Sequence, residues 1–359
     1  MSNPHGGSPA ASATYPCGGC GARLEFSPGT NVLQCPYCGF RQEIQASGQQ
    51  IREIAIEELG SLPRKPVGQL APYTLVCQRC SAQTQTTATA GLCQFCGSPL
   101  VLDPNATGQI IPEGVLPFAV DHNGIRTSLG KWVSSRWFAP NSFKKVVNAE
   151  STKGTYVPHW TYDSATFSHY RGQRGVHYYV TTRDSNGNTR TERRTRWYNV
   201  SGQVSRAFDD VLVPASMALP VDKVDDLAPW PLPEAQPFQQ QYLAGYYALR
   251  YDVEPENGLG EAKSRMSKVI NEDCRRDIGG DAQRVDHVNT NFTNVTFKLM
   301  LLPIWVATYM YAGKSWQILI NGRTGEIQGE RPWSKVKIAL AVVAALIALV
   351  VLFLVFRKH

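Results

Sequence analysis

Eight of the nine cysteines in this chain fall in four Cys-x-x-Cys pairs, and no other feature restricts the fold as tightly. Cys17 and Cys20 pair with Cys35 and Cys38; Cys77 and Cys80 pair with Cys93 and Cys96. A Cys-x-x-Cys turn is tight enough to aim both sulfurs at one ion. A β-hairpin joining two such turns completes a tetrahedral thiolate site. Gly21, Gly39 and Gly97 follow the second cysteine of their pairs, and Ser81 holds that place in the remaining one. Glycine there tolerates the left-handed backbone that turns amides toward the thiolates. The pattern predicts two small zinc-ribbon β modules, residues 15–45 and 73–103, each holding one Zn2+ through four thiolates. Four protein ligands leave no position for water or substrate, so both metals are expected to be structural. In modules this small, metal binding supplies most of the folding energy. A thioredoxin-like redox pair would need a βαβ setting that is missing. Cross-braced pairing between the ribbons is less economical than two local sites. Cys274, the ninth cysteine, falls in an expected helix and reads as a buried or half-buried thiol.

Charge bounds the partners. The 359-residue chain carries a net charge of +7, too mild for a dedicated DNA-binding stripe. Up to residue 110, Arg23, Arg41, Arg52, Arg64, Lys65 and Arg79 are matched one for one by Glu25, Glu43, Glu53, Glu57, Glu58 and Asp103. The basic excess lies later. Residues 171–206 contain Arg171, Arg174, Arg183, Arg190, Arg193, Arg194, Arg196 and Arg206 against only Asp184 and Glu192. His177, Tyr178, Tyr179, Trp197 and Tyr198 are interleaved. Such a stretch can hold nucleic acid through phosphates and stacking, or rest on anionic lipid headgroups. It can equally be the solvated face of a twisted hairpin. Arg171, Arg174, Arg190, Arg193, Arg194 and Arg196 are the candidate anion contacts.

Residues 1–14 read as a disordered tail without an apolar signal segment, which with thiol ligands indicates a reducing compartment. A polar stretch and a Pro/Gly-containing linker cover 46–72. The middle reads as a duplicated α+β region, mainly antiparallel β, with repeats at 104–225 and 226–332. In the first repeat, 127–138 reads as an amphipathic helix through Leu129, Trp132, Val133, Trp137 and Phe138, stopping before Pro140. Val157-Pro158-His159-Trp160 then enters a strand. In the second, 260–278 reads as a charged helix stopped by Gly279-Gly280, and Leu302-Pro303-Ile304-Trp305 follows. Tight hairpin turns are expected at Ser185-Asn186-Gly187-Asn188 and at Asn321-Gly322-Arg323-Thr324-Gly325. Residues 338–356 are 19 consecutive apolar residues without charge, Pro or Gly. At helical rise they reach roughly 28 Å, so one C-terminal transmembrane helix is expected. Arg331, Lys335 and Lys337 precede this segment, and Arg357 and Lys358 follow it. That bias places the bulk of the chain in the cytoplasm, as a single-pass, tail-anchored protein in contact with the lipid bilayer.

No catalytic constellation emerges. Gly313-Lys314-Ser315 resembles the end of a phosphate-binding loop, but Thr308 stands where the first glycine is required. No His-Glu-x-x-His or Gly-x-Ser-x-Gly occurs, and His159 beside Trp160 reads as structural. The chain is not expected to be an enzyme.

The motifs taken together resemble a known group. Cys17-Gly18-Gly19-Cys20-Gly21, Leu24-Glu25-Phe26 and Cys35-Pro36-Tyr37-Cys38-Gly39 are similar to the bacterial TFIIB-type zinc-ribbon-containing membrane proteins. So are Arg136-Trp137-Phe138-Ala139-Pro140, Tyr156-Val157-Pro158-His159-Trp160, Tyr242-Leu243-Ala244-Gly245-Tyr246, Leu302-Pro303-Ile304-Trp305 and the run from Gly313 to Glu326. The likeness extends from about residue 15 to the C-terminal apolar segment. Members are often labelled after the replication-restart helicase, primosomal protein N′, whose ATPase motifs are absent here. The resemblance implies zinc on all eight paired cysteines and company with membrane-stress scaffolds of the phage-shock type. It supplies no catalytic residue. The expected function is a membrane-anchored adaptor or scaffold docking cytoplasmic proteins. The alternative is a membrane-tethered nucleic-acid-binding protein.

Overall fold

A computed structural model describes residues 12–13, 15–70, 72–77, 83–94, 97–102, 108–135, 152–183, 189–311, 314–329 and 334–357. Cys80, Cys96, Trp137, Phe138, Pro140, Gly313, the expected turn at 185–188 and most of the N-terminal tail lie outside them.

The chain starts with β1 (Ser12–Ala13) and a meander of β2 (Glu25–Phe26), β3 (Val32–Gln34) and β4 (Arg41–Glu43). β5 (Ile54–Ala55) comes next. β6 (Tyr73–Val76) and β7 (Gln83–Thr86) form one hairpin, and β8 (Ala90–Leu92) and β9 (Pro99–Leu102) another. β10 (Gly114–Val115) and helix α1 (His122–Ser134) lead to two very long strands, β11 (Lys153–Arg183) and β12 (Thr189–Pro214). Helix α2 (Val221–Asp225), β13 (Gln236–Pro237) and β14 (Tyr247–Ala248) precede helix α3 (Pro255–Ile278). β15 (Ala282–Tyr311), β16 (Lys314–Asn321), β17 (Ile327–Gly329) and helix α4 (Lys335–Arg357) complete the order. Twelve described strands form one mixed sheet, running β1-β9-β8-β14-β11-β15-β10-β13. β12 joins at β11, β5 and β16 at β15, and β17 at β16.

Strand β11 records its surroundings in its burial pattern. From Gly154 to Tyr162 every residue is buried, because both faces of the sheet are covered. From Ser164 to Gly172 burial alternates, because α3 covers one face only. The pairing with β15 ends at Gly175 opposite Ala282, while the pairing with β12 continues to Arg183 opposite Thr189. Beyond Gly175 the two strands project as a ribbon, with none of their described side chains buried.

Helix α3 buries Gly258, Ala262, Met266, Ile270, Cys274 and Ile278 at four-residue intervals, a single stripe along its axis. Tyr162 and Trp160 press so close to Gly258 that a Cβ there would stand 2.5 Å from the tyrosine oxygen. Arg206 grips Asp273 with two hydrogen bonds of 2.5 and 2.7 Å, and the Tyr170 hydroxyl donates to Asp277 at 2.6 Å. The helix stops at Gly279, whose φ of +63° suits a residue without Cβ.

Val157-Pro158-His159-Trp160 and Leu302-Pro303-Ile304-Trp305 meet across β11 and β15. Pro158 lies opposite Leu301 and Pro303 opposite Tyr156, so a local two-fold axis relates the motifs. Helix α1 begins before the expected 127 because the Asp121 side chain caps it, accepting from the Gly124 N–H at 2.8 Å. The Asn321–Gly325 turn closes as expected, with the Gly325 N–H donating to the Asn321 carbonyl at 2.8 Å.

Two expectations are corrected. The protein is not a string of small ribbons and an α+β region; it is mostly β, built on one large mixed sheet. β8 and β9, from the second cysteine segment, are strands of that sheet. In the first ribbon, Leu24, Phe26 and Leu33 share one core with Phe118, Tyr156, Tyr242 and Trp305. Strands of two and three residues enclose too little apolar surface to stand alone, so the ribbon buries its apolar side chains against the body. The second correction concerns the C-terminus: no helix among the described residues is long and apolar enough to cross a membrane. This finding overturns the expected transmembrane helix at 338–356 and the single-pass location.

Candidate metal centre and arginine ribbon

Cys17, Cys20, Cys35 and Cys38 come together with all four sulfurs within 4.8 Å of one another. Cys17 Sγ lies 3.5 Å from Cys38 Sγ, and Cys20 Sγ lies 3.7 Å from Cys35 Sγ. A tetrahedron with metal–sulfur bonds of about 2.3 Å has edges of about 3.8 Å, so the group could hold a metal ion. Backbone geometry builds the site. The Cys17 N–H donates to the Ala22 carbonyl at 2.6 Å and the Gly21 N–H to the Cys17 carbonyl at 2.9 Å. Around Cys35 the same two bonds run to Phe40 and from Gly39, at 2.8 and 3.1 Å. Gly21 and Gly39 have φ of +70° and +76°. Burial works to raise the Cys35 thiol pKa, but donors from Cys38 and Tyr37 outweigh it and bring it down to about 7, while in Cys38 the Phe40 backbone bond is outweighed by the neighbouring Cys17 and Cys20, which push it up to about 12.

The second set is described only in part. Cys77 and Cys93 are buried, and Cys80 and Cys96 lie outside the described residues. The turn after Cys93 nevertheless repeats the pattern. The Cys93 N–H donates to the Ser98 carbonyl at 2.8 Å, the Gly97 N–H to the Cys93 carbonyl at 2.9 Å, and Gly97 has φ of +69°. The Arg23 Nη1 donates to the Gly97 carbonyl at 2.6 Å, tying one cysteine segment to the other.

Motifs far apart in sequence converge beside the first site. Phe26 packs edge-on against Tyr242 at 5.3 Å, Phe118 stacks on Tyr246 at 4.4 Å, and Trp305 and Tyr156 close the cluster around Phe118. The Phe26 N–H donates to the Ala244 carbonyl at 2.9 Å. These motifs clasp the ribbon to the sheet. The residues at 24–26, 156, 242–246 and 305 are therefore fold-specifying.

The candidate arginines do not form one surface. Strand side chains alternate between faces. Arg174, Arg190, Arg194 and Arg196 share the face that α3 covers at its base, while Arg171 and Arg193 share the opposite face. Arg174 Nε donates to the Ile278 carbonyl at the end of α3. Arg190 and Arg194 flank Glu192 at 3.8 and 3.5 Å, and Arg196 lies over the Tyr178 ring. Arg206 is held by Asp273.

Sequence reading missed a second polar centre. Asp163, Asp209 and Asp210 cluster where both partners of β11 are bulged, and Asp210 has φ of +53°. Lys298, nearly buried, pairs with Asp210 and with Glu53 from the stretch before β5. Its ammonium already supplies the positive charge there. These residues are scattered from 53 to 298, so no local pattern announces them. His159 is buried, bonds the Val157 carbonyl at 3.0 Å through Nδ1, and has its pKa pushed down to about 4 by desolvation. Cys274 is buried on α3, as expected.

A protein of Bacillus subtilis (strain 168), named "Uncharacterized protein YdjG", is 27% identical over 330 residues, covering 91% of this chain and 92% of that protein. No family model matches the chain. No solved structure matches it.

Proposed function

We propose that this protein is a zinc-stapled adaptor and not an enzyme, and that the β11–β12 ribbon is the surface it presents to a protein partner. The observation that carries this reading is the ribbon itself. Past Gly175 it buries no described side chain and leaves Tyr178 at 38% and Tyr179 at 70% exposure, with Tyr198 at 48% opposite Arg174 at its root. A two-stranded hairpin is marginal by itself, so one that contributes nothing to the core is explained by what it touches. Tyr178 and Tyr198 sit on one face with Arg194 and Arg196, and tyrosine and arginine are the residues that most often anchor protein interfaces. The partner presents carboxylates to those arginines.

The metals are two structural Zn2+ ions. Four sulfurs within 4.8 Å of one another, with pairs at 3.5 and 3.7 Å, suit zinc in the first site, and the recurrence of the same turn at Cys93 and Gly97 supports a second site on Cys77, Cys80, Cys93 and Cys96. Zinc's part is to hold the turns closed and the ribbon clasped. Descent from the TFIIB-type zinc-ribbon proteins fits this reading and rests on the motifs.

The test is affinity capture of the full chain from nuclease-treated and untreated extract, alongside Arg194→Glu/Arg196→Glu. A nuclease-resistant set of proteins lost from the variant supports the adaptor. Capture that is unchanged in the variant, or that disappears with nuclease, sinks it.

A further inference from the structure

The face of the sheet opposite α3 is open and holds a polar groove of about 860 Å3, lined by His169, Arg171, Ser201, Gln203, His287 and Asn289. Three strands contribute to it. His169 pairs with Gln203 on one side and Asn289 on the other; Arg171 pairs with Ser201 and His287. All six side chains are exposed. Their composition is one-sided. From Phe167 to Tyr179 on β11, and at the paired positions of β12 and β15 on this face, no residue is acidic. Arg171, Arg193 and Arg284 are present, with His169, His177 and His287. Asp286, the extra residue of the adjacent bulge, lines a second cavity that shares His287 with this groove, and at the Gly175 end the Asp281 carboxylate accepts from the His177 N–H at 2.7 Å. The adaptor face differs, because Glu192 is set between its arginines.

Aromatic rings bracket the groove. Phe167 is 42% exposed at one end and stands edge-on to His169. At the other end Trp197 lies half-buried under the Arg284 guanidinium, 4.0 Å from the ring centroid. Phe167 and Gly175, the partner of Trp197, are eight strand positions apart, so the bracketed length is about 27 Å. An open trough of that length suits a polymer better than a small enclosed molecule. Arg171, with no acid at the strand positions paired with it, favours a polyanion. Flat rings and guanidinium planes among amide side chains favour one with exposed bases.

We infer that this face binds single-stranded nucleic acid, with Arg171 on a phosphate and with Phe167 and the Trp197–Arg284 stack as platforms for bases. It goes beyond the adaptor reading and uses the opposite face.

Labelled single strands of about 20 nucleotides, one oligo-dT and one oligo-U, would be titrated with the full zinc-loaded chain. Fluorescence anisotropy would be read at several salt concentrations. Variants Arg171→Glu and Phe167→Ala alter this groove; Arg194→Glu alters the other face. Unchanged circular dichroism and melting temperature show that each variant is folded; the exposed Arg171 side chain bears no load in the fold. Binding of either strand, weakened at least about tenfold by Arg171→Glu and less than about twofold by Arg194→Glu, supports the site. Arg171→Ala should also flatten the slope of log K against log salt by about 0.7. Preference for oligo-dT or for oligo-U assigns the face to DNA or to RNA. Lack of binding at about 50 mM salt overturns the inference, as does equal loss in Arg171→Glu and Arg194→Glu. Equal binding of a duplex rules out recognition of bases. Competition by polyglutamate as strong as by oligonucleotide reassigns the groove to an acidic protein.

Discussion

At the scale of single residues, two side chains make separable demands on stability. His159 is neutral in the fold because burial holds its pKa near 4, against 6.5 in the unfolded chain. Between those values the unfolded chain takes up a proton that the fold refuses. The contribution is therefore full above about pH 6.5 and is lost as pH falls toward 4. His159→Asn should lose about 2 kcal/mol less than the parent between pH 7 and pH 5, measured by urea unfolding with zinc held in excess. Gly258→Ala tests packing. Alanine favours a helix by about 1 kcal/mol, but its Cβ would strike Tyr162 and Trp160, so a net loss of about 1–3 kcal/mol in unfolding free energy, measured by urea unfolding, is expected. The first four paired cysteines and His159 were readable in the sequence, because spacing and the lack of partners nearby carry their meaning. The partition of the arginines was not read there, though alternation along β12 contains it: Arg194 and Arg196 differ by two and share a face, while Arg193 falls on the other.

Elements respond according to what they bury. Replacing the projecting part of the β11–β12 ribbon, residues 176–196, with a short Asn-Gly turn should leave the melting temperature within about 2 °C, because no described side chain there is buried. Partner capture should disappear. Cys35→Ser should behave in the opposite way. It removes one sulfur from the first site, and metal content measured by atomic emission should fall by about one ion per chain. Helices α1 and α3 were legible from their apolar stripes and from Gly279-Gly280. The start of α1 was set instead by Asp121, a cap four residues or more ahead of the apolar pattern. The role of residues 46–72 was hidden for another reason. Ile54, Leu59 and Glu53 belong to a polar stretch whose purpose is long-range: β5 pairs with β15, and Glu53 meets Lys298.

The whole molecule shares its core with the four-cysteine ribbon. Phe26 lies among Tyr242, Tyr246 and Phe118, so under the proposed metal role loss of the ion would expose the body as well as the turns. Calorimetry of the zinc-loaded chain should show one cooperative transition, and a chelator should lower that transition as a unit. A separate small transition disappearing on chelation would show instead that ribbon and sheet are independent. Pairing between distant strands is also why the architecture was not legible: nothing in local periodicity says that β8, β14, β11 and β15 stand side by side. The Val157–Leu302 register has a further consequence, in time. The two residues are about 145 positions apart. On a ribosome adding about 5–20 residues each second, the apolar run of β11 emerges roughly 7–30 s before its central neighbour exists. During that interval β12 and β14 can shield only one edge of it, and the cell must keep other chains from supplying the missing strand.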